Sequence, residues 1–517
     1  MAQRHGDRPA VTDGEGQSLS HAQLSLHAHQ IAHALLQRGL QPGQAVGVWL
    51  PNSLDAVRCA YGIRMMGAAE TPMSGSLTRE EFDWCASLAQ VKHVITTAER
   101  QALVRSMGLQ AWQVADLVGG SSQALPDVPA WHVGRILFTS GTTGKPKGVI
   151  YTHGERWAGE QMLQDALPFV PQPSDRLLLM TPFVHGASLL TFAWCHFGAR
   201  VLLHDGVDMN QVGPLLQSGG VQALFAPPTV LAKITKAMDG QRIQGIQCIF
   251  TGTQALTPTL YREACAIFGP VVRITYGKSE CVNPITVLSP AQTHAYFEGG
   301  AISPGACVGW PVAGVEISVR QPTQGIEEMP LPQSPEQDTD PSAAHPPQAL
   351  IEGEIFLRAP QMCSALITPE GLVGHTDGWH ASGDLGWIDQ AGRLILTGRL
   401  ADVIKTGGYR VNPDEIETAL AAGRTYGAIC VTAIPSAYWG DIIIAVAQDT
   451  QAGWEDEIEQ KAAVLSKHKR PRLFVSMPTL PRNAQGKISR KAVAQTVLQS
   501  HRLIDGPHPS WDAPGAD

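Results

Sequence analysis

No Cys-x-x-Cys pair occurs in this chain; its nine cysteines stand singly among 517 residues. That spacing excludes the common zinc-ribbon and disulfide-framework readings and fits a reducing, cytoplasmic setting. Apolar runs are short. None approaches the roughly 18 residues of a membrane-spanning helix, and the opening Met1-Ala-Gln-Arg-His-Gly-Asp7 has no apolar signal core. Positive charge is not in excess. The formal net charge is −8, which gives no reason to expect nucleic acid as a partner. Charged residues make up 16% and aromatics 6%, against 44% hydrophobic, a balance that supports a sizeable core. The length is too great for one ordinary domain, so two or more are expected. No internal repeat is visible in the sequence.

Helix and strand signals alternate along most of the chain, which predicts an α/β architecture with mixed or parallel sheets. Ser20-His-Ala-Gln23 has the form of a capping box. Leu24, Ala28, Ile31 and Leu35 then share one helical face, and Gly39 offers a stop. Ala45-Val-Gly-Val-Trp-Leu50 reads as a buried strand. Further short strands are expected at 201–203, 223–226, 248–251 and 353–358. The segment 321–350 holds seven prolines and reads as an exposed, partly disordered loop. A domain boundary is expected near Gly398-Arg399. The tail from Gly506, rich in Pro, Asp and Gly, reads as frayed.

The densest chemical signal is Ile136-Leu-Phe-Thr-Ser-Gly-Thr-Thr-Gly-Lys-Pro-Lys-Gly148. An apolar strand runs into glycines, hydroxyls and two lysines. Glycines let the backbone turn and present N–H groups, Ser140, Thr142 and Thr143 add donors, and Lys145 and Lys147 supply charge. The composition suits phosphate, yet the spacing is not the Walker form. Four more stretches follow in order. They are Thr275-Tyr-Gly-Lys-Ser-Glu280, Asp377-Gly-Trp-His-Ala-Ser-Gly-Asp-Leu-Gly386, Gly398-Arg-Leu-Ala-Asp-Val-Ile-Lys-Thr-Gly-Gly-Tyr-Arg410 and Leu480-Pro-Arg-Asn-Ala-Gln-Gly-Lys-Ile-Ser-Arg490. Each alone has a plain reading: a strand-to-helix turn, a core tyrosine, a solvated carboxylate, a surface lysine. In one chain and in this order, they point jointly to nucleotide chemistry.

That order and spelling resembles the adenylate-forming superfamily of acyl-CoA synthetases, nonribosomal adenylation domains and firefly luciferase. The resemblance runs from the helix near Ser20 to Lys491. It implies a large N-terminal domain of stacked α/β subdomains (1–398), a hinge (399–402) and a small mobile α+β C-terminal domain (403–505), with 506–517 as tail. It also implies two half-reactions. A carboxylate attacks the α-phosphate of ATP, giving an acyl-adenylate and pyrophosphate, and a thiol, usually that of CoA, then displaces AMP. Thr139, Ser140, Gly141, Thr142, Thr143, Gly144, Lys145 and Lys147 would cradle phosphate. Glu280 would hold Mg²⁺, with Ser279 in place of the usual Thr. Tyr276 would stack on adenine, while Gly252, Thr253, Gln254 and Gly277 would place backbone against nucleotide and acid. Asp384 would bind ribose with Arg399 nearby, and Lys487 would bridge carboxylate and α-phosphate. Gly407 and Gly408 would line a pantetheine tunnel, and Trp439 matches a tryptophan that some aryl-CoA ligases set against the CoA adenine. The hinge position carries Ala401 where Asp or Lys is usual, and Ile274 replaces a polar residue near adenine.

Thr181-Pro-Phe-Val-His-Gly-Ala-Ser188 matches the motif in which acyl-CoA synthetases carry a His, so His185 would stand between the acid and the thiol tunnel. Amino-acid-activating relatives have an Asp where this chain has Val184. A buried ammonium without a counter-charge is costly, which disfavours an amino-acid substrate. Lys278 could meet a second acidic group on the acid. The expected activity is a carboxylate–CoA ligase for a fatty, aryl or alicyclic acid, using ATP, Mg²⁺ and CoA. The alternatives are transfer to a carrier-protein pantetheine and a non-catalytic nucleotide-binding homologue.

Overall fold

The protein is described here from a computed structural model covering residues 2–75, 77–120, 124–139, 146–184, 186–252, 254–299, 305–321, 352–420, 425–482 and 487–512. Most of the proline-rich segment, 322–350, lies outside these residues. The chain forms two compact units. One comprises Met1–Ile302, Val308–Glu316 and Arg358–Trp379; the other comprises Ser303–Cys307, Ile317–Leu357 and His380–Asp517.

Parallel βα repeats build the first unit. Strands run in the order 286–288, 272–276, 248–252, 223–225, 176–179, 200–203, 9–13 and 18–20, and those from Val272–Tyr276 to Pro9–Asp13 are parallel. Such strands are apolar on both faces because helices cover both sides. Leu177, Leu179, Val201, Ala223 and Cys248 pack with Trp194 on one face, and Leu178, Leu224 and Ile249 with Tyr261 on the other. A second sheet has the strand order 371–373, 365–368, 147–152, 133–139, 69–72, 45–49, 93–96 and 110–112.

The local sequence signals hold. Ser20 and Gln23 form the expected capping box on the helix His21–Gln37, whose Leu24, Ala28, Ile31 and Leu35 are all buried. Gly39 follows at φ +85°. Strands appear at Ala45–Trp49, Arg200–Leu203, Ala223–Phe225, Cys248–Gly252 and Gly353–Arg358.

The second unit pairs Gly353–Arg358, His380–Ile388 and Leu394–Arg399 as an antiparallel ladder. A five-stranded sheet comes next, with helices Pro413–Leu420, Trp454–Ala462 and Arg490–Ser500. Apolar clusters cover both faces of that sheet. Gly398 and Arg399, the expected junction, belong to this unit together with the strands before them. Asn412 is the physical link: its Nδ2 donates 2.5 Å to the Thr397 carbonyl, and its side chain occupies the space beside Gly398.

The frayed tail expected from Gly506 is corrected as far as Asp512. Ser510–Trp511 pairs with Leu503–Ile504, and Trp511 Nε1 donates 3.1 Å to the Phe474 carbonyl. The Asp505 carboxylate accepts from Ser436 Oγ and from the Ala437 N–H at 2.6 Å each. Trp511 and the Asp505 carboxylate outweigh the Pro/Gly composition of the segment. Among the described residues no helix is long and apolar enough to cross a membrane.

Candidate functional site

In the first unit, strands Val133–Thr139 and Lys147–Thr152 are antiparallel, with Thr139 opposite Lys147. The Gly/Thr/Lys stretch therefore connects two strands, which corrects the strand-to-helix alternative. Trp84 Nε1 donates 2.9 Å to the Pro146 carbonyl and secures one end. Ser140, Gly141, Thr142, Thr143, Gly144 and Lys145 lie outside the described residues, as do His185 and Thr253.

Cys248–Gly252 and Val272–Tyr276 are parallel neighbours whose register sets Gly252 beside Thr275. A Cβ at Gly252 would stand 2.4 Å from the Thr275 carbonyl oxygen. Only glycine fits there, so bare backbone is presented where the strand ends; Gln254, just beyond, is exposed. Tyr276 closes the neighbouring strand at 8% exposure, with most of its ring packed inside the protein.

The turn 277–280 is held by its surroundings. The Lys278 N–H donates 3.1 Å to the Cys281 carbonyl, Tyr151 Oη donates 2.5 Å to the Ser279 carbonyl, and the Cys363 N–H donates 2.8 Å to the Glu280 carbonyl. A Cβ at Gly277 would meet the Asn283 side chain at 2.7 Å, and Asn283 Oδ1 accepts from Thr275 Oγ1 at 2.7 Å. Glu280 is half-buried among Tyr151, Cys281 and Cys363. Burial first and the Glu280 charge second push the Cys281 thiol up to about 12. Tyr151 and Asn283 were not legible as site residues; an Asn-Pro dipeptide beside the motif was the only cue.

In the second unit, Asp384 and Arg399 are cross-strand partners, with Arg399 Nε 3.3 Å from Asp384 Oδ1. The Asp384 side chain is 9% exposed and that of Arg399 58%. The pair therefore has a buried acidic end and an exposed basic one. Ser382 Oγ accepts from the Asp384 N–H at 3.0 Å.

Gly407 and Gly408 form the turn between Ile404–Thr406 and Tyr409–Val411, at φ +55° and +82°. Side chains rarely adopt this left-handed region. The Gly407 N–H donates 2.8 Å to the Trp439 carbonyl, and a Cβ on Gly407 would lie 3.1 Å from the Trp439 ring. The structure thus brings together two positions 32 residues apart in sequence. The Arg472 guanidinium stacks over the same ring at 3.7 Å, and Trp439 Nε1 donates 2.9 Å to the Gly506 carbonyl. Beside it is an open cleft of about 360 Å³ lined by Lys467, Arg470, Arg472 and His508 with three prolines. Lys469 is outside the cleft lining and ion-pairs with Glu415 at 2.7 Å.

Lys487 is half-buried, two residues before Ser489, which caps the helix Arg490–Ser500. Ala401 sits in the 3₁₀ turn Leu400–Asp402, and Arg490 binds Asp402 at 2.8 Å, Glu417 at 2.6 Å, and Asp414. Among the described residues no group of three or more His, Cys, Asp or Glu could hold a metal.

The strand-end glycine, the pinned acidic turn and the Asp–Arg pair are features of a nucleotide-binding enzyme with an α/β core. The AMP-binding enzyme family matches residues 1–363, and the chain belongs to it. It is 26% identical over 502 residues to a 2-succinylbenzoate–CoA ligase of Bacillus cereus, covering 95% of this chain and 96% of that one. Two solved structures share the fold at 23% identity, each alignment covering 95% of this chain and 96% of the other. They are an o-succinylbenzoate CoA synthetase of Bacillus subtilis with its acyl-adenylate (TM-score 0.79) and ATP-bound MatB of Rhodopseudomonas palustris (TM-score 0.80).

Proposed function

We propose that this chain is an ATP-dependent, AMP-forming carboxylate–CoA ligase acting on an aryl acid. In the first step a carboxylate oxygen bonds to the α-phosphorus of ATP and pyrophosphate leaves. Two anions must be brought together, so neutralisation and alignment carry the catalysis. The loop 139–147 grips the β- and γ-phosphates through its backbone, hydroxyls and lysines. Glu280 would hold Mg²⁺, which would supply neutralisation of the phosphate charge. Gly252, Thr253, Gln254 and Gly277 place backbone beside nucleotide and acid, and Tyr276 meets adenine through the part of its ring left exposed. Asp384 accepts from the ribose hydroxyls, with Arg399 orienting its carboxylate. Lys487 neutralises the carboxylate and α-phosphate as they approach. His185 lines the acid pocket, and Lys278 faces a second acidic group on the acid.

In the second step the CoA thiolate attacks the acyl carbon and AMP departs. The observation that carries the thiol half is the Gly407 backbone seated on Trp439 beside a basic cleft. A narrow passage of bare backbone suits pantetheine, and Lys467, Arg470 and Arg472 suit the nucleotide phosphates of CoA. The turn 399–402 acts as the hinge, with Ala401 supplying backbone freedom rather than a side-chain contact. The relatives named for 2-succinylbenzoate make an aromatic acid with a second carboxylate the first substrate to try.

The test is pyrophosphate release against a panel of acids headed by 2-succinylbenzoate, with and without CoA. Release coupled to CoA consumption is expected. Release without consumption of CoA moves the acceptor to a carrier-protein pantetheine, and no release with any acid rejects the ligase assignment.

A further inference from the structure

Beneath the turn that precedes the helix Gly186–His196 lies a buried ion cluster that nucleotide chemistry does not require. Arg135, on the strand Val133–Thr139, is 4% exposed. Its guanidinium donates 3.1 Å to Ser188 Oγ and 3.0 Å to the Val184 carbonyl. Its Nε stands 3.7 Å from Glu70 Oε2, and Glu70 also accepts from Arg156 at 3.3 Å. Arg64 pairs with Glu160 alongside. Three guanidinium groups thus share two carboxylates, an excess of one positive charge among these described residues. A second clamp, from another segment of the chain, holds the same turn. Asn52 Nδ2 donates 2.8 Å to the Thr181 carbonyl, and Asn52 Oδ1 accepts from the Phe183 N–H at 2.8 Å.

A buried guanidinium is expensive unless its donors are used. Here two of its hydrogen bonds go to the turn and the first turn of the helix that follows it, rather than to a carboxylate. The turn is therefore what Arg135 is arranged to hold. Four residues further along the same strand, Thr139 opens the phosphate loop.

We propose that Arg135 is a positioning residue for the carboxylate substrate: it fixes Val184 and Ser188 against the strand Val133–Thr139, so that the turn and the helix start on the acid's side keep their place. The proposal rests on the function given above. The excess positive charge behind the turn also favours an anionic acid over a zwitterionic amino acid.

The test is acid-dependent pyrophosphate release by the full chain, comparing wild type with Arg135→Lys and Ser188→Ala. Arg135→Lys keeps the charge and removes the fork; Ser188→Ala removes one acceptor and serves if Arg135→Lys fails to fold. Each is expected to raise KM for the acid about tenfold, as loss of a charged hydrogen bond does, with KM for ATP within about twofold. The double variant is expected to fall short of the product of the two effects, since both remove the same bond. A fall in melting temperature with acid KM unmoved, or equal movement of both KM values, overturns the proposal while leaving the ligase assignment intact. Wild type that releases no pyrophosphate with any acid overturns both.

Discussion

Replacing Gly407 by Ala, with Gly408→Ala as its control, separates two physical effects at the thiol side of the site. Both glycines have left-handed φ, +55° and +82°, where a Cβ costs about 1 kcal/mol. Only Gly407 has a neighbour in the way. Its added Cβ would meet Trp439 Cε3 at 3.1 Å and Cζ3 at 3.2 Å, whereas Gly408 meets nothing within 4 Å. Trp439 is poorly placed to yield, because Arg472 covers its ring and Gly506 holds its indole N–H. Overpacking against such a ring adds about another 1 kcal/mol. Gly408→Ala is thus expected to cost about 1 kcal/mol and Gly407→Ala about 2 kcal/mol in urea unfolding. The half-reactions are expected to divide more sharply. In Gly407→Ala, pyrophosphate exchange stays near wild type, while thioester formation from supplied acyl-adenylate falls at least about tenfold, because the shifted turn and indole narrow the passage. Equal behaviour of the two variants, or equal loss of both half-reactions in Gly407→Ala, refutes the role given to the Gly407–Trp439 contact.

Lys487→Ala is expected to lose adenylation while keeping most thioester formation from supplied acyl-adenylate; equal loss of both rejects two alternating arrangements of the site. Gly252→Ala sets a Cβ 2.4 Å from a backbone oxygen of the adjacent strand, so it should cost about 1–3 kcal/mol in unfolding and reduce adenylation with every acid tested. Burial lowers both His21 and His153 to about 4. The unfolded chain then binds protons that the folded chain refuses, so stability is full above about pH 6.5 and falls as the pH drops toward 4. Thermal melts at pH 7 and pH 5 should show the decline, and His153→Gln should flatten it. Truncation after Asp505 removes the Trp511 and Gly506 anchors, and should lower the melting temperature and alter the Trp439 fluorescence; unchanged values would mean that the tail adds nothing.

Much of the first unit was legible because its signals are local. A capping box, an apolar stripe at helical spacing and short apolar runs depend on neighbours within one or two turns of chain. The strands at 201–203, 223–226 and 248–251 were found for that reason. The tail was misread for the complementary reason. Composition around Gly506 signals a loop, while the anchors, Phe474 and Ser436, lie far back along the chain. Asn412, which ties the strand ending at Arg399 to the segment that leads into the helix Pro413–Leu420, is likewise a contact that composition does not announce.

By itself, the sequence pointed to the chemistry proposed for this protein: a Gly/Thr/Lys stretch, an acidic turn, an aspartate between glycines and a lysine near the end, in the order of an AMP-binding enzyme. Side-chain type and short-range spacing suffice for that, because each motif is spelled within a few consecutive residues. Only the tertiary structure decided that Gly252 must be glycine, that Trp439 sits on Gly407, and that Arg135 and Asn52 both hold one turn. Those depend on strand register and on packing between segments tens to more than a hundred residues apart, and no local pattern along the chain encodes such distances.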